Sequence, residues 1–222
     1  MQQQAAVLIV GAGGHAKVVI ELLQAQGRRV GGLVDADASP RQVLGVPVVG
    51  TDADLSRLYS PSLNLAFVAI GDNQTRLMLG RHVQSIGFQL VNAISPAAVV
   101  SPSCRLGAGI AVMAGAIINA DAQICDFAII NTGASIDHDC IVGEASHIGP
   151  GATIAGCVTI GRQAFLGVGS HVIPQLSIGD GALIGAGSCV VRNIPAYAVA
   201  RGVPARIVNA HDRNSPSNDL VK

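Results

Sequence analysis

Residues 136–160 read IDHDCIVGEASHIGPGATIAGCVTI, and from the first isoleucine onward a branched aliphatic residue returns at every sixth position. The period continues in both directions without a change of phase, and it covers seventeen consecutive positions. These positions are Ile94, Val100, Leu106, Val112, Ile118, Ile124, Ile130, Ile136, Val142, Ile148, Ile154, Ile160, Leu166, Val172, Ile178, Ile184 and Val190. A small residue usually lies four positions after each aliphatic residue, and glycine often lies directly after the aliphatic residue. This period fits neither an amphipathic helix nor a series of simple hairpins.

A six-residue repeat is typical of a parallel β-helix, in which each repeat forms one side of a triangular prism. The aliphatic residue then fills the axis, and the small residue lets the chain turn at the corner. Three repeats make a coil of about eighteen residues, so residues 94–190 are expected to form between five and six coils. The period alone does not give the handedness, since parallel crossovers are nearly always right-handed.

The composition agrees with this repeat and argues against nucleic-acid binding. Glycine supplies 27 of 222 residues, whereas aromatic residues make up 3% and tryptophan is absent. Fourteen basic residues balance fourteen acidic ones, so there is no basic surface for a polyphosphate chain. The aromatic residues are also too few for base stacking.

The sequence shows no sign of a membrane protein or of a disulfide-bonded one. The longest uncharged run, residues 82–104, is interrupted by polar residues and Pro96, so no membrane span is expected. The first residues lack the pattern of a signal peptide, and a cytoplasmic protein is expected. Five cysteines form no CxxC pair, and we interpret them as small buried residues in a reducing compartment. They are Cys104, Cys125, Cys140, Cys157 and Cys189. No metal site is predicted.

The first 93 residues follow a different pattern, in which apolar strands alternate with helical segments. The predicted strands cover residues 6–10, 30–34, 46–49 and 65–70. Helical segments follow the first and the last of these strands. This alternation predicts a small parallel α/β domain over residues 1–93. The last residues, 209–222, are rich in Asn, Ser and Asp, and we expect them to be disordered.

A glycine-rich turn follows the first strand and resembles a dinucleotide-binding fingerprint. The pattern Gly11-x-Gly13-x-x-Ala16 opens a helix, and Asp35 ends the next strand. It is consistent with a tight turn without a ligand, with an NAD site, or with a site for a nucleotide-bearing substrate. The last is favoured, because some 90 residues are too few for both halves of a dinucleotide fold. We then expect Gly13, Gly14 and His15 at the phosphates, Asp35 near the ribose or base, and contributing amides at Gly50 and Gly71.

Three segments carry a resemblance to a known family. They are GAGGHAKVV at residues 11–19, AIGDN at 69–73 and DHDCIVGEASH at 137–147. Over residues 6–208 the chain resembles the nucleotide-sugar N-acetyltransferases of the sialic-acid O-acetyltransferase and bacillosamine N-acetyltransferase type. Its sequence GVPAR at 202–206 is similar to the segment that caps hexapeptide acyltransferases, which implies a cap over residues 191–208.

The resemblance also implies a fold and an activity. The fold would be a Rossmann-like domain followed by a left-handed β-helix over residues 94–190. Acetyl-CoA would donate an acetyl group to the 4-amino group of a nucleotide-linked sugar, with GDP-perosamine favoured, in O-antigen or lipopolysaccharide biosynthesis. A UDP-linked sugar or a hydroxyl acceptor remains open, because no residue distinguishes these substrates.

The family's catalytic residues fall on the segment at 137–147. Its general base corresponds to His138, and the following acid, usually glutamate, is here the shorter Asp139. The second histidine corresponds to His147 and would contact acetyl-CoA near its thioester. Histidine has an ordinary pKa near 6.5 and can accept a proton near neutrality, while a flanking carboxylate can hold the useful tautomer. His138 would take the amine proton as the C–N bond forms, and a backbone amide or His147 would stabilise the oxyanion.

The spacing of the two histidines predicts an oligomer. His138 and His147 are nine residues apart, half a coil, so they point to opposite sides of one prism. They could share a pocket only across subunits, which predicts a homotrimer with active sites at its interfaces. A column of glycines one coil apart either lines the pantetheine arm of acetyl-CoA or only serves the turns. The column consists of Gly149, Gly167 and Gly185.

Two further hypotheses belong to other functional classes. A zinc enzyme of the γ-carbonic-anhydrase type needs three converging histidines, and the histidine spacings do not stack such a set. A non-catalytic solenoid that only binds sugar nucleotides or scaffolds other proteins is disfavoured by the adjacent His138 and Asp139.

Overall fold

The front of the molecule is an α/β domain built on six strands; the computed structural model describes residues 5–37 and 39–210. The strands are β1 (Val7–Val10), β2 (Val30–Val34), β3 (Gln42–Val43), β4 (Val46–Gly50), β5 (Leu65–Val68) and β6 (Gln89–Leu90). The helices are α1 (Gly14–Ala25), α2 (Leu55–Leu58) and α3 (Asn73–Ile86), with a 3-10 turn at Asp52–Asp54. Every residue of β1 is buried, as its continuous apolar sequence predicts for a central parallel strand.

The order of the strands predicts a ligand-binding crevice at the carboxyl edge of this sheet. The order is β3-β4-β2-β1-β5-β6, and only β3 runs antiparallel to its neighbour. From β1 the chain continues to β2 on one side of the sheet, and from β5 it continues to β6 on the other side. Ligands of such sheets bind where the order reverses, outside the carboxyl ends of the strands. Here that position lies between the glycine turn after β1 and the loop at residues 69–72 after β5.

The second half is a three-sided prism of two-residue parallel strands. The strands are β7 (Ala93–Ile94), β8 (Val99–Val100), β9 (Arg105–Leu106), β10 (Ala111–Val112), β11 (Ile117–Ile118), β12 (Gln123–Ile124), β13 (Ile129–Ile130), β14 (Ser135–Ile136), β15 (Ile141–Val142), β16 (His147–Ile148), β17 (Thr153–Ile154), β18 (Thr159–Ile160), β19 (Phe165–Leu166), β20 (His171–Val172), β21 (Ser177–Ile178), β22 (Leu183–Ile184) and β23 (Cys189–Val190). Each ends on an aliphatic residue of the repeat, and these side chains pack together along the axis.

The strands sort into three sheets because each pairs with the strand three further along. Ile94 pairs with Val112, and Ile130 with Ile148, so one coil takes eighteen residues, as predicted. The first sheet contains β7, β10, β13, β16, β19 and β22, the second begins at β8, and the third at β9. Residues eighteen apart therefore stack in columns. This rule decides which side chains meet at the site.

The end of the prism is closed by a hairpin. Its strands are β24 (Ala198–Arg201) and β25 (Arg206–Ala210), and β24 pairs with β22. Strand β25 extends two residues into the segment expected to be disordered, because Asn209 and Ala210 pair with β24. The remainder of that segment, residues 211–222, lies outside the described residues. Within the described ranges, no helix is both long and apolar enough to cross a membrane.

A buried arginine joins the two parts of the molecule. Arg76 of α3 is 1% exposed, and burial lowers its pKa to about 9, so its guanidinium is still charged at neutral pH. It donates to two successive corners of the prism and to the loop after β5. Its acceptors within 3.0 Å are the carbonyl oxygens of Phe127, Ala145, Ile70 and Gly71 and the side-chain oxygen of Asn73.

Asn73 extends this contact to the next coil. Its side-chain amide donates to the carbonyl oxygen of Gln163 at 2.9 Å. Phe127, Ala145 and Gln163 are eighteen residues apart, so α3 lies along one column of corners. Gly80 lets the helix approach closely, since a Cβ there would lie 2.3 Å from the Phe127 ring. The crevice of the α/β domain is thereby fixed against the first sheet of the prism.

Candidate active site

Two histidines from different parts of the chain converge at the crevice. His15 lies in the first turn of α1, and His147 lies in β16 of the first sheet. His147 is close enough to His15 and Arg76 for both to lower its pKa. Burial is the largest cause, and together these effects lower the pKa of His147 to about 3. His15 and His147 therefore lie where the α/β domain meets the β-helix, and His147 is neutral there.

The surroundings of His147 fix its orientation. Its Nε2 lies 3.0 Å from the Asn131 side-chain amide, and its ring contacts Phe165 edge-on at 5.1 Å between centroids. The Asn131 oxygen accepts from the Thr132 amide at 2.8 Å, so its nitrogen faces the imidazole. Nε2 therefore accepts, and the proton is on Nδ1. Nδ1 is buried, and no atom of the described residues completes a hydrogen bond with it, although the Gly71 backbone lies nearby.

The amino end of α1 offers free backbone donors to an anion. Gly13 is the N-cap residue of α1, and no side chain caps the helix there. The first turn of α1 also has no acidic residue. A Cβ at Gly13 or Gly14 would meet open space, so packing does not require glycine at either position. His15 is also prepared for a ligand: burial and Arg76 lower its pKa to about 4, and its buried Nε2 has no hydrogen-bond partner in the described structure. This combination suits a phosphate group.

Asp35 holds the glycine turn in place. One carboxylate oxygen accepts from the Ala12 amide at 2.7 Å, and the other lies 3.2 Å from Arg41. The Asp35 amide in turn donates to the Gly50 carbonyl at 3.1 Å. These contacts give Asp35 and Gly50 a clear structural role at the carboxyl edge of the sheet. Gly71 lies beside the same crevice, exposed, with its carbonyl bound to Arg76.

His138 lies elsewhere, at the corner between the second and third sheets. Its Nδ1 is 2.8 Å from an Asp139 oxygen, so the shorter carboxylate does reach the imidazole. This hydrogen bond, with a further contribution from Asp137, raises the pKa of His138. Asp137 accepts the His138 amide at 2.8 Å and is held by Asn119 at 3.0 Å. The imidazole is exposed and its Nδ1 is oriented, which suits the acceptance of a proton from a substrate.

Two residues of the next coil lie against this corner and were missed by sequence reasoning. Gly156, eighteen residues after His138, lies beneath the imidazole: a Cβ there would be 2.6 Å from Nε2. Cys157 is exposed next to it. The interpretation of the five cysteines as buried is correct only for Cys140, since the other three are half-buried. The Cys157 thiol belongs to the same cluster as His138 and Asp139. The eighteen-residue coil was a signal that could have found both residues.

The glycine column has a packing role of its own. A Cβ at Gly149 would lie 2.5 Å from the Leu166 carbonyl oxygen, and one at Gly167 would lie 2.6 Å from the Ala186 amide. A Cβ at Gly185 would lie 2.9 Å from the Arg201 side chain. Gly149 and Gly167 are buried in the single chain. Stacking of the coils thus accounts for these glycines, and their contact with acetyl-CoA stays a prediction.

Comparison with known proteins agrees with both halves of this description. A family model described as the PglD N-terminal domain matches residues 6–82. Perosamine N-acetyltransferase from Caulobacter crescentus, solved in complex with CoA and GDP-perosamine, is 56% identical. The alignment covers 92% of this chain and 98% of that chain, with a TM-score of 0.90. The chain belongs to the nucleotide-sugar N-acetyltransferase family. Its fold is accordingly a Rossmann-like domain followed by a left-handed β-helix, which confirms the prediction.

Two further relatives are also similar to this chain. The acetyltransferase domain of PglB from Neisseria gonorrhoeae, solved with acetyl coenzyme A, is 37% identical over 92% of this chain and 100% of that chain, with a TM-score of 0.87. UDP-N-acetylbacillosamine N-acetyltransferase from Bacillus subtilis is 39% identical over 49% of this chain. The chain spans 51% of the length of that relative.

Proposed function

We propose that this N-acetyltransferase transfers the acetyl group of acetyl-CoA to the 4-amino group of a nucleotide-linked amino sugar, GDP-perosamine in the first instance. The observation that carries the proposal is the His138–Asp139 pair, joined at 2.8 Å on an exposed corner of the β-helix. The Caulobacter relative, which binds CoA and GDP-perosamine, supports the choice of substrates. Two further structures of that relative carry a histidine replaced by asparagine or alanine, with both ligands bound.

His138 acts as the general base in the proposed reaction. The sugar amine attacks the thioester carbon, the C–N bond forms, and His138 takes the amine proton while Asp139 stabilises the imidazolium. The C–S bond then breaks, and the thiolate of CoA leaves and is protonated. His147 or a backbone amide donates to the developing oxyanion; the Nδ1 proton of His147 suits this role.

The complete active site needs more than one subunit. His138 lies between the second and third sheets, whereas His15 and His147 lie at the first, so one chain does not bring them together. We propose a homotrimer in which His138 of one subunit faces the crevice of its neighbour, with the pantetheine arm of acetyl-CoA along the column of Gly149, Gly167 and Gly185. We also propose that the enzyme is cytoplasmic, because the free cysteines of this chain suit a reducing compartment.

The nucleotide is proposed to bind at the crevice of the α/β domain. Gly13, Gly14 and His15 would contact the phosphates through the free amides of α1 and the imidazole. Asp35 would lie near the ribose or base, with Gly50 and Gly71 contributing backbone groups. The unpartnered Nε2 of His15 and the uncapped helix support this placement.

Asp35→Ala is expected to weaken GDP binding about tenfold, because the glycine turn loses the acceptor for its Ala12 amide. Isothermal titration with GDP measures the affinity. Glu21→Ala is a suitable control, since Glu21 is an exposed carboxylate of α1 that the proposal leaves out of the site. Unchanged affinity in Asp35→Ala would show that the nucleotide does not bind against this turn.

The acid limb of the pH profile is expected to depend on Asp139. A general base must be neutral, so kcat/KM falls as the pH drops through the pKa of His138, which the Asp139 hydrogen bond raises. Asp139→Asn removes the largest cause of that increase, and the acid limb should move to lower pH. Asp121→Asn, at the equivalent position one coil earlier, is the control. A limb that stays in place in Asp139→Asn would contradict the assignment of His138.

Gly156→Ala is expected to lower kcat by up to about 100-fold without unfolding the protein. The new Cβ would displace the imidazole of His138, and a misplacement of about 1 Å can cost this much in rate. Because the His138 side chain is 55% exposed, it can move and the β-helix should remain intact. Steady-state kinetics and thermal unfolding separate the two effects. A normal kcat would mean that the ring does not rest on Gly156 during catalysis.

One assay of thiol release from acetyl-CoA tests the whole proposal. The acceptors are GDP-linked and UDP-linked 4-amino sugars, together with the corresponding 4-hydroxy sugars. Turnover with GDP-perosamine is expected to be the fastest. Faster turnover with the UDP-linked amine or with a hydroxyl acceptor would replace the proposed substrate, and no thiol release with any acceptor would reject acetyl transfer.

A further inference from the structure

The corner that carries His138 is built from equivalent turns of successive coils. Asp121, Asp139, Cys157 and Gln175 are each eighteen residues apart, and all four have a left-handed backbone with φ between 57° and 63°. The Cys157 amide donates to the His138 carbonyl at 2.9 Å, which fixes one turn upon the other. The side chains of Asp139 and Cys157 therefore leave the prism from the same corner, one coil apart.

Three different donor atoms meet at this corner. A ring nitrogen of His138, a carboxylate oxygen of Asp139 and the Cys157 sulfur lie within 4.8 Å of one another, and all three side chains are exposed. Donor atoms around tetrahedral zinc are about 3.3–3.8 Å apart, given metal–ligand distances of about 2.0–2.3 Å. The distances between the donor atoms at this corner therefore exceed those around zinc by about 1 Å at most. Exposed side chains on a rigid corner can remove this difference by small rotations.

The chemistry of the donors selects the metal. Nitrogen, sulfur and a single carboxylate suit zinc, whereas magnesium and calcium require oxygen ligands. Three protein ligands leave a fourth position for water, as in open zinc sites. We propose that His138, Asp139 and Cys157 bind Zn²⁺, and that the bound metal inhibits acetyl transfer. The inhibition, though not the metal site, rests on the proposed function of His138.

Inhibition follows from the electron pairs of the imidazole. A neutral imidazole has one ring nitrogen with a free lone pair, and its other nitrogen carries a proton. Zinc beside Asp139 takes the lone pair of Nδ1, and the ring proton then lies on Nε2, so no basic nitrogen remains for the substrate amine. The Cys157 thiol releases its proton to solvent when it binds the metal.

Competition with a chromophoric chelator measures Zn²⁺ binding to the intact protein, without any substrate. We expect one Zn²⁺ per chain and at least about tenfold weaker binding in Cys157→Ser, since a direct ligand is lost. Cys189→Ser, a cysteine of the second sheet, is the matched control and should bind as the wild type does. No binding by the wild type, or equal affinity in Cys157→Ser, would overturn the metal site.

The acetyl-transfer assay tests inhibition separately. Without zinc, Cys157→Ser should be as active as the wild type, because its thiol takes no part in the proposed reaction. Added Zn²⁺ should inhibit the wild type and Cys189→Ser and should spare Cys157→Ser. Binding without inhibition would overturn the inhibitory role. A wild type that transfers no acetyl group to any acceptor would reject the proposed function, and the chelator measurement would still decide the metal site.

Discussion

His138→Ala is expected to lower kcat by about 10²–10⁴, the usual contribution of a positioned general base. The His138 side chain is exposed, and the backbone amide at position 138 can still donate to the Asp137 side chain, so the corner should keep its shape. The affinity for GDP should not change, because the residues proposed to contact the nucleotide are all retained. Steady-state kinetics with GDP-perosamine and acetyl-CoA measure the effect.

His171→Ala is the matched control for this substitution. His171 is an exposed histidine in β20 of the second sheet, outside the proposed site, and its loss should leave kcat unchanged. A normal rate in His138→Ala would mean that water or the substrate itself carries the proton. A loss of rate together with loss of the folded protein would instead assign His138 a structural role.

Arg76→Met is expected to reduce the free energy of unfolding by about 3–5 kcal/mol. Methionine fills much of the space, but carbonyls at two corners of the prism and in the loop after β5 lose their donor. A buried carbonyl left without a partner costs about 1–3 kcal/mol. Urea denaturation measures the loss.

Arg81→Met provides the comparison on the same helix. Arg81 pairs with Glu144 across the same contact between domains, yet its side chain is 55% exposed. An exposed ion pair contributes about 1 kcal/mol or less. Equal losses in the two variants would contradict the role of Arg76 as the main link between the α/β domain and the β-helix.

The β-helix could be predicted almost residue by residue because its rule is local. Each aliphatic residue of the repeat fills the same axis, so one phase error would have appeared as a break in the series. The strands of the α/β domain were predicted only where they are long and apolar. The short strands β3 and β6 and the helix α2 escaped, since two to four residues carry no readable period.

The residues at the candidate site and beside it also differ in how far the sequence predicts them. Adjacent residues such as His138 and Asp139 could be paired from the sequence, and Gly156 and Cys157 follow from the coil length. Arg76 could not be found, because its role depends on how α3 docks against the prism. A lone arginine in a helix ordinarily points to water. The meeting of His15 with His147 depends on the same docking.

The eighteen-residue register also limits how this chain can change in length. Removing a whole coil shortens the prism and leaves each remaining column aligned. Removing a single hexad would turn everything beyond it by a third of a revolution, so such a deletion between residues 94 and 138 would turn His138 away from the face that we propose it presents to a neighbour. Insertions and deletions in this enzyme should therefore survive selection only in multiples of one coil, or at the outer tips of the corners.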